Sequence, residues 1–438
     1  MTALAPLARR NPAPFHPRLP GSKSATQRAL LLAAMRPGRT TIANGLHCDD
    51  TAALARALAA FDGITVATAD GFVVTRAPGR LRAPGQPLDL AGAGTAARFL
   101  LGFAASVDGA TVVGGSARLC ERPMHDLIHS LRAFGIRCDE LGAPGCLPAR
   151  VHGGAPEGRI WHVASATSSQ FASALLLLAS QQPPANGPIE LWLDGQPVST
   201  PYLDLTRAMM VQSGLRVDRP NPACFVVHPG TPQHDRIEVE PDASSAGYFL
   251  AMAAITGTTV VVSGLGSKST QADLGIAPAL ARMGCDVTIG EHEVRLTGKP
   301  VHGKPLHGID VDLAQMPDAA LTLAIVAATA EGTSCLTGLA TLRHKESNRL
   351  DAAARELARL GVRVDAGADY LRIEPTGALR PSAIDSYEDH RVAMAFACLG
   401  LVTDGIAIGD RACVTKSFPG FWDEFARFAA HHDEARVR

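Results

Sequence analysis

One pattern occurs six times along this chain and limits what it can fold into. A few small or polar residues open an apolar run, and a glycine turn and a short β-prone stretch follow. The openings are GSKSATQRALLLAA, AGAGTAARFLLGFAA, ATSSQFASALLLLAS, DASSAGYFLAMAAI, MPDAALTLAIVAATA and YEDHRVAMAFACLG. The turns are Gly38, Gly109, Gly187, Gly257, Gly332 and Gly405, spaced 70 to 78 residues apart. Six equivalent helix starts follow from such a chain, and the reactive-looking residues sit at or near them. The common solenoid repeats are shorter than these, so closed domains of three units each are expected.

Each unit holds a second helix, as in TAALARALAAFDGITVAT, MHDLIHSLRAFGIRC and LDAAARELARLGVRVDA. Apolar residues recur there at three- and four-residue spacing, and the glycine that ends the run in the first five units suits a left-handed C-cap. ITVAT, FVVTR and YLRIEP read as short strands. The sixth unit stops after FPGFWDEFARFAAHH without a glycine-strand closure, and a spare strand-like segment, PFHPRLP, precedes the first unit. The N-terminal segment is therefore expected to complete the last unit. The chain would cross between domains near Gly21 and near Glu240. That places units one to three in residues 21–239, and units four to six in residues 240–438 with residues 1–20.

Length supports two domains, since 438 residues exceed the usual size of one. Apolar residues make up 46% and charged residues 19%, enough to bury real cores. A net charge of −1 provides no overall field for nucleic acid or an acidic membrane, so anion chemistry must come from clustered cations. Nine cysteines without a CxxC pair argue against a disulfide framework or zinc ribbon and for a reducing compartment. Residues 1–20 carry Arg9 and Arg10 but no apolar core of a signal peptide. No apolar run reaches membrane-spanning length. The expected location is cytoplasmic.

Helix N-termini carry unpaired N–H groups and partial positive charge, so they attract phosphates and carboxylates. A lone Ser or Thr there is usually just an N-cap. Six starts carrying Lys23, Arg28, Arg98, Asp318, His390 and Arg391 point instead to a cleft for a highly anionic substrate. PGSKS and GSKST lack the Gly-Lys adjacency of a phosphate loop. The run Gly92 to Ala97 fits GxGxxA, but no acidic residue stands about 20 positions on, as a dinucleotide fold needs. Metal-ligand spacings are absent.

Ten motifs then stand in order: LPGSKSATQRALLLAA, AGTAARF, ERPMHDL, SSQFASALL, STPYLDLT, DASSAGYFLA, MPDAALT, KESNRL, EDHRVAMAF and VTKSFPGF. Together they resemble the 5-enolpyruvylshikimate-3-phosphate synthase family, from about residue 19 to residue 421. The resemblance implies a two-domain inverted α/β barrel-like (α/β prism) fold with three βαβαββ-type repeats per domain. It places the active site in the interdomain cleft. It also implies transfer of the enolpyruvyl group of phosphoenolpyruvate to the 5-hydroxyl of shikimate 3-phosphate, with no metal or organic cofactor and action as a monomer. Both substrates carry a phosphate and a carboxylate, for which bidentate arginines are suited.

By motif match, phosphoenolpyruvate would meet Lys23, Gly94, Arg122, Gln170, Arg349, Arg391 and Lys416. Shikimate 3-phosphate would meet Lys23, Ser24, Arg28, Ser168, Ser169, Gln170, Ser199, Tyr202, Asp318 and Lys345. The addition–elimination chemistry needs a base for the hydroxyl and an acid for the methylene carbon, assigned to Asp318 and Glu346, with Lys23 helping phosphate leave. His390 would either hydrogen-bond Glu346 or substrate, or be a packed structural histidine. Closure of two charged lobes around the substrates is also expected. Gly92, Ala97, Phe99, Thr341 and Ser347-Asn348 depart from the family's usual residues. The rival within the fold is UDP-N-acetylglucosamine enolpyruvyl transferase, whose loop cysteine would fall where Ala117 stands; Cys120 is out of register. A non-catalytic anion-binding repeat protein is the rival of another class.

Overall fold

The computed structural model describes residues 13–298 and 305–437. Arg9 and Arg10 therefore lie outside the described residues. Unit one runs α1 (Lys23–Met35), β1 (Gly38–Ala43), α2 (Asp49–Ala59), β2 (Ile64–Ala69) and β3 (Gly71–Arg76). Unit two is β4 (Leu88–Asp89), α3 (Gly94–Ala104), β5 (Ala110–Gly114), the short α4 (Ala117–Cys120), α5 (His125–Ala133), β6 (Cys138–Glu140) and β7 (Ala149–His152). Unit three is β8 (Ile160–Ala164), α6 (Ser169–Ser180), β9 (Ile189–Asp194), α7 (Pro201–Gln212), β10 (Arg216–Asn221) and β11 (Cys224–His228), and β12 (Arg236–Glu238) follows. Unit four is α8 (Ala243–Thr256), β13 (Thr259–Ser263), α9 (Ile276–Arg282), β14 (Asp286–Ile289) and β15 (Glu293–Thr297). Unit five is β16 (Asp310–Asp312), α10 (Ala320–Ala327), β17 (Ser334–Thr337), α11 (Arg349–Arg359), β18 (Arg363–Ala366) and β19 (Leu371–Glu374). Unit six is β20 (Ser382–Ile384), α12 (His390–Ala397), β21 (Ile406–Ile408) and α13 (Phe421–Val437).

The βαβαββ unit expected from the resemblance is visible in units two, three and five. In each, the opening strand pairs parallel with the strand after the first helix, and the final hairpin adds antiparallel, as in the order β4-β5-β7-β6. The sheets remain separate and open; no closed barrel forms among the described residues. The six turn glycines all have positive φ, and so do Gly63, Gly135, Gly214, Gly284 and Gly361 after the second helices. Left-handed backbone at both places is why glycine recurs with the unit.

The six opening helices are buried almost all round; in α8 only Ser244 and Thr256 escape full burial. Such helices form interiors rather than faces. Two apolar cores result. One gathers side chains from Ala25 to Val239, and the other gathers Phe15 with side chains from Ala243 to Phe428.

The N-terminal segment does not complete the sixth unit. Phe15 bridges parallel to Val260 on β13, in the sheet of unit four. Among the described residues the sixth unit keeps only β20 and β21. The reason lies in β12, which stands where unit four's opening strand would come in sequence but pairs parallel with β1 of unit one. The edge of β13 then needs another partner for its N–H and C=O groups, and Phe15 provides it. The two chain crossings touch. Gly21 bridges antiparallel to Pro241, Ser22 N donates to Glu240 O at 2.8 Å, and Asp242 N donates to Pro20 O at 2.8 Å. A Cβ at Gly21 would come within 1.9 Å of the Asn44 carbonyl oxygen, so only glycine passes there. Asp242 caps both neighbouring helices, accepting from Ser245 N at 2.7 Å and from Lys23 N at 3.1 Å.

Candidate active site

The starts of α1, α3 and α6 face one cleft, joined by the residues before α10 and α11 and by Arg391 on α12. Seven Lys and Arg side chains line it: Lys23, Arg28, Arg98, Arg122, Lys345, Arg349 and Arg391. Among the described residues only three carboxylates do, Asp50, Asp318 and Glu346. In a chain of net charge −1 this excess of cations is local. The start of α8 opens onto an adjoining smaller cavity that shares Lys23, Ser24, Tyr202 and Arg391 with the cleft.

Of the sequence-predicted residues, Lys23, Ser24, Arg28, Gly94, Arg122, Ser168, Ser169, Gln170, Ser199, Tyr202, Asp318, Lys345, Glu346, Arg349 and Arg391 all line this cleft. Lys416 and His390 do not. Lys416 stands behind it, with Nζ 2.6 Å from Asp50 Oδ1 and 3.0 Å from the Gly92 carbonyl oxygen. Asp50 Oδ2 lies 3.1 Å from Lys23 Nζ, so one carboxylate holds a lysine from each side. Burial pushes the Lys23 ammonium down in pKa, but Asp50 and then Glu346 outweigh it, and its pKa is raised.

Arg349 is the hub of the opposite wall and is fully buried. Its Nε and Nη2 donate to Asp389 at 2.7 and 3.1 Å, Nη1 to Asp318 Oδ1 at 2.9 Å and Nη2 to Glu346 Oε2 at 2.7 Å. Asp318 is also held by Arg391 at 3.1 Å and Lys345 at 3.2 Å. Burial alone would raise the Asp318 carboxyl; Arg391, Lys345 and Arg349 overcome it and hold the group well below the usual carboxylate range. Glu346 behaves alike: burial is outweighed by Arg349, Arg122 and Lys416, and its pKa is depressed. Both carboxylates are therefore anions in this arrangement.

Arg122 is differently placed. It stands over Gly94, where a Cβ would come within 2.3 Å of Nη1, and its buried Nε has no partner. Arg98 donates to Gln170 Oε1 at 2.6 Å and to the Pro123 carbonyl at 3.2 Å. Burial first, and Arg122 second, lower its pKa. Arg28 is tied down, donating to Thr206 Oγ1, Ser24 O, Tyr202 O and Ser173 Oγ at 2.7 to 3.4 Å. Burial lowers it to about 10. Ser168 is the N-cap of α6, accepting from Gln170 N at 3.3 Å. Ser199 has a φ of 52° and donates its N–H to the Ala314 carbonyl of the other half at 3.3 Å. A non-glycine residue in that region is held there by its surroundings.

His390 takes the packed alternative. It is fully buried, neither ring nitrogen has a hydrogen-bond partner, and no bond reaches Glu346. Burial, helped by Lys23, depresses its pKa, so the ring is neutral.

The departures from the family pattern have local uses. Gly92 leaves its carbonyl open to Lys416, and a Cβ there would sit 3.0 Å from Nζ. Phe99 lies under the Arg28 guanidinium, 5.1 Å from ring centre to Cζ. Ser347 Oγ donates to Asp389 at 3.0 Å, and Asn348 caps α11. Thr341 lines the cleft with a buried, unpartnered Oγ1. Ala97 is simply buried on α3.

Asp50, Asp389 and Arg118 were not singled out from the sequence. Asp50 and Asp389 sit at helix starts, where acidic residues are ordinary caps. In the sequence Arg98 is only a charge at a helix start. Cys120 sits with Sγ 3.6 Å from the Gly115 carbonyl, and all nine cysteines are free thiols. Among the described residues no group of three or more His, Cys, Asp or Glu is arranged to hold a metal ion. Nor is any helix among them long and apolar enough to cross a membrane.

Residues 17–425 match the family model of EPSP synthase (3-phosphoshikimate 1-carboxyvinyltransferase). A 3-phosphoshikimate 1-carboxyvinyltransferase of Burkholderia multivorans is 42% identical over 419 residues, covering 94% of this chain and 96% of the relative. The Burkholderia vietnamiensis enzyme of the same name gives the same figures. The solved EPSP synthase of Acinetobacter baumannii superposes with a TM-score of 0.79 at 29% identity, covering 95% of this chain and 96% of that one. The enolpyruvyl transferase NikO of Streptomyces tendae shares the fold at 18% identity, with a TM-score of 0.73 and 95% of each chain covered. With its six-unit α/β architecture and a cation-lined cleft built from the matched motifs, the chain belongs to the EPSP synthase family.

Proposed function

We propose that this chain transfers the enolpyruvyl group of phosphoenolpyruvate to the 5-hydroxyl of shikimate 3-phosphate and releases phosphate, as the shikimate pathway requires. The carrying observation is the pairing of Asp318 and Glu346 on one arginine, Arg349, inside a cleft where seven Lys and Arg side chains face three carboxylates. Two substrates with four anionic groups match that excess. The two apolar cores support domains of residues 21–239 and of 240–438 with 1–20.

In the proposed reaction, the 5-hydroxyl oxygen bonds to C2 of phosphoenolpyruvate while Asp318 takes the hydroxyl proton and Glu346 gives a proton to C3. The tetrahedral intermediate then loses phosphate as the C2–O bond to phosphate breaks and C3 returns its proton. Lys23 balances the charge of the leaving phosphate. Arg122 and Arg391 hold the donor, and Gln170 bridges the two substrates. A proton donor must first be protonated, and Glu346 is held anionic by Arg349, Arg122 and Lys416. A substrate anion on Arg122 offsets part of that field and raises Glu346 toward a working acid. Arg28, bonded on all sides by its own helices, would approach the shikimate phosphate through the cleft-facing part of its guanidinium.

Phosphate release is the test. Release with shikimate 3-phosphate plus phosphoenolpyruvate is expected. No release with that pair, but release with UDP-N-acetylglucosamine plus phosphoenolpyruvate, would overturn the assignment. Tight binding of both substrates without release would favour a non-catalytic binder.

A further inference from the structure

Arg118 has no part in the reaction above, yet it crosses the cleft. It lies on α4, four residues before Arg122, and its side chain is half exposed. Nε donates to the Glu346 carbonyl at 3.2 Å and Nη2 to the Lys345 carbonyl at 3.1 Å. Nη1 pairs with Glu121 Oε2 at 2.9 Å, which aims the fork from its own side.

The two ends it joins are both mounted firmly. Ser116 caps α4 through Leu119 N at 3.3 Å and donates its own N–H to Ala91 O at 2.8 Å, fixing α4 to the loop before α3. Arg122 N donates to Leu119 O at 3.1 Å, so a single turn carries both arginines. Across the cleft, Lys345 and Glu346 occupy a non-helical stretch between the 3₁₀ turn Ala340–His344 and α11. Their side chains are held by Asp318 and Arg349, but the backbone between them is met from the other half by Arg118. Other cross-cleft bonds among the described residues meet elsewhere: Lys416 with Asp50 and the Gly92 carbonyl, Thr415 with Asp49, and Ser199 and Thr200 with residues 314 and 315.

We propose that Arg118 is a positioning residue and closure latch, seating the Lys345–Glu346 backbone against the turn that carries Arg122. The proposal rests on the enolpyruvyl-transfer assignment for its catalytic meaning and on the hydrogen bonds for its place. Forming these bonds requires the halves to be together. Arg118 therefore favours the closed state and fixes Glu346 relative to the donor substrate, while leaving the shikimate phosphate wall untouched. The planar fork is needed: one ammonium cannot reach two carbonyls in the same geometry.

The experiment compares wild type, Arg118→Ala and Arg118→Lys. Phosphate release should show kcat/KM for phosphoenolpyruvate falling about tenfold or more in R118A, with R118K recovering only a small part. Calorimetric affinity for shikimate 3-phosphate alone should stay within twofold, and the melting temperature should barely move for so exposed a side chain. Small-angle scattering with shikimate 3-phosphate plus phosphoenolpyruvate should show less compaction in R118A than in wild type. The proposal is overturned if R118A keeps its kinetics and compaction within twofold and within error, respectively. It is equally overturned if affinity for shikimate 3-phosphate falls in parallel with turnover. Scattering does not depend on turnover, so an inactive wild type would sink the assigned reaction while compaction still judged the latch.

Discussion

At the scale of single residues, the site consists of buried ion pairs awaiting replacement partners. Asp318 and Arg122 make opposite predictions. Asp318 touches three cations and is assigned to the hydroxyl proton, so Asp318→Ala should lower kcat by roughly 10²- to 10⁴-fold. Arg122 is assigned to the donor alone, so Arg122→Ala should mainly raise KM for phosphoenolpyruvate. Steady-state kinetics separates them, and the roles are wrong if the two variants show the same pattern. Asp50 makes a pH prediction. Lys23 keeps a raised pKa because Asp50 outweighs its burial. That stabilising charge is fully present below the unfolded lysine pKa of about 10.4 and is lost as pH rises through the folded value. Asp50→Asn removes the counter-charge, so burial should dominate and bring Lys23 below its ordinary value. The alkaline arm of kcat/KM should move to lower pH, and the alkaline loss of melting temperature that Lys23 contributes should disappear, because a lysine whose folded pKa lies below its unfolded one costs no stability as it deprotonates. Unmoved arms would show that Asp50 does not set the Lys23 charge. Most of these residues were legible because chemistry sits in the six openings. Asp50 was not, because it starts a second helix, and an acidic doublet there looks like ordinary dipole compensation.

Elements were legible where the local pattern and the burial agree. The opening helices follow from apolar runs behind a capping residue, and the glycine turns follow from left-handed backbone. Strand partners were less visible, because pairing depends on which edge is free rather than on the strand's own residues. PFHPRLP reads as a strand in isolation, but nothing in those residues says that β12 has vacated the edge of β13. The consequence is measurable. Phe15 is 2% exposed, with its ring centre 5.0 Å from that of Phe428 and 6.1 Å from that of Phe249. Arg427 covers its other face at 4.3 Å. Phe15→Ala should cost about 3–5 kcal/mol through the cavity it leaves. Denaturant titration should show this in the transition of the half containing α8 and α13, with the other half unchanged. A loss under about 1 kcal/mol would mean that the bridge to Val260 does little to hold the segment.

For the whole molecule, the main fact is that equivalent units carry unequal chemistry. The first half contributes Lys23, Arg28, Arg98 and Arg122 to the cleft, and the second contributes Lys345, Glu346, Arg349, Arg391 and Asp318. Bringing the halves together therefore opposes cation to cation across the cleft, with the Lys416–Asp50 pair among the few cross-cleft attractions. Substrate anions placed between the halves relieve that repulsion, so closure and binding become one process. Salt should expose the coupling. Between about 0.1 and 1 M ionic strength the Debye length falls from roughly 10 to 3 Å, which screens the pull of the cation-rich walls on an incoming multiply charged donor. KM for phosphoenolpyruvate should rise severalfold across that range. The change in kcat should be smaller, because once the cleft has closed its ion pairs are buried and weakly screened. Kinetics at matched pH in a chloride series, repeated in a bulky monovalent salt to separate screening from chloride occupying the site, would measure this. A KM that ignored ionic strength in both series would mean that the surplus of cations is spent on the fold's own carboxylates and not on the substrate.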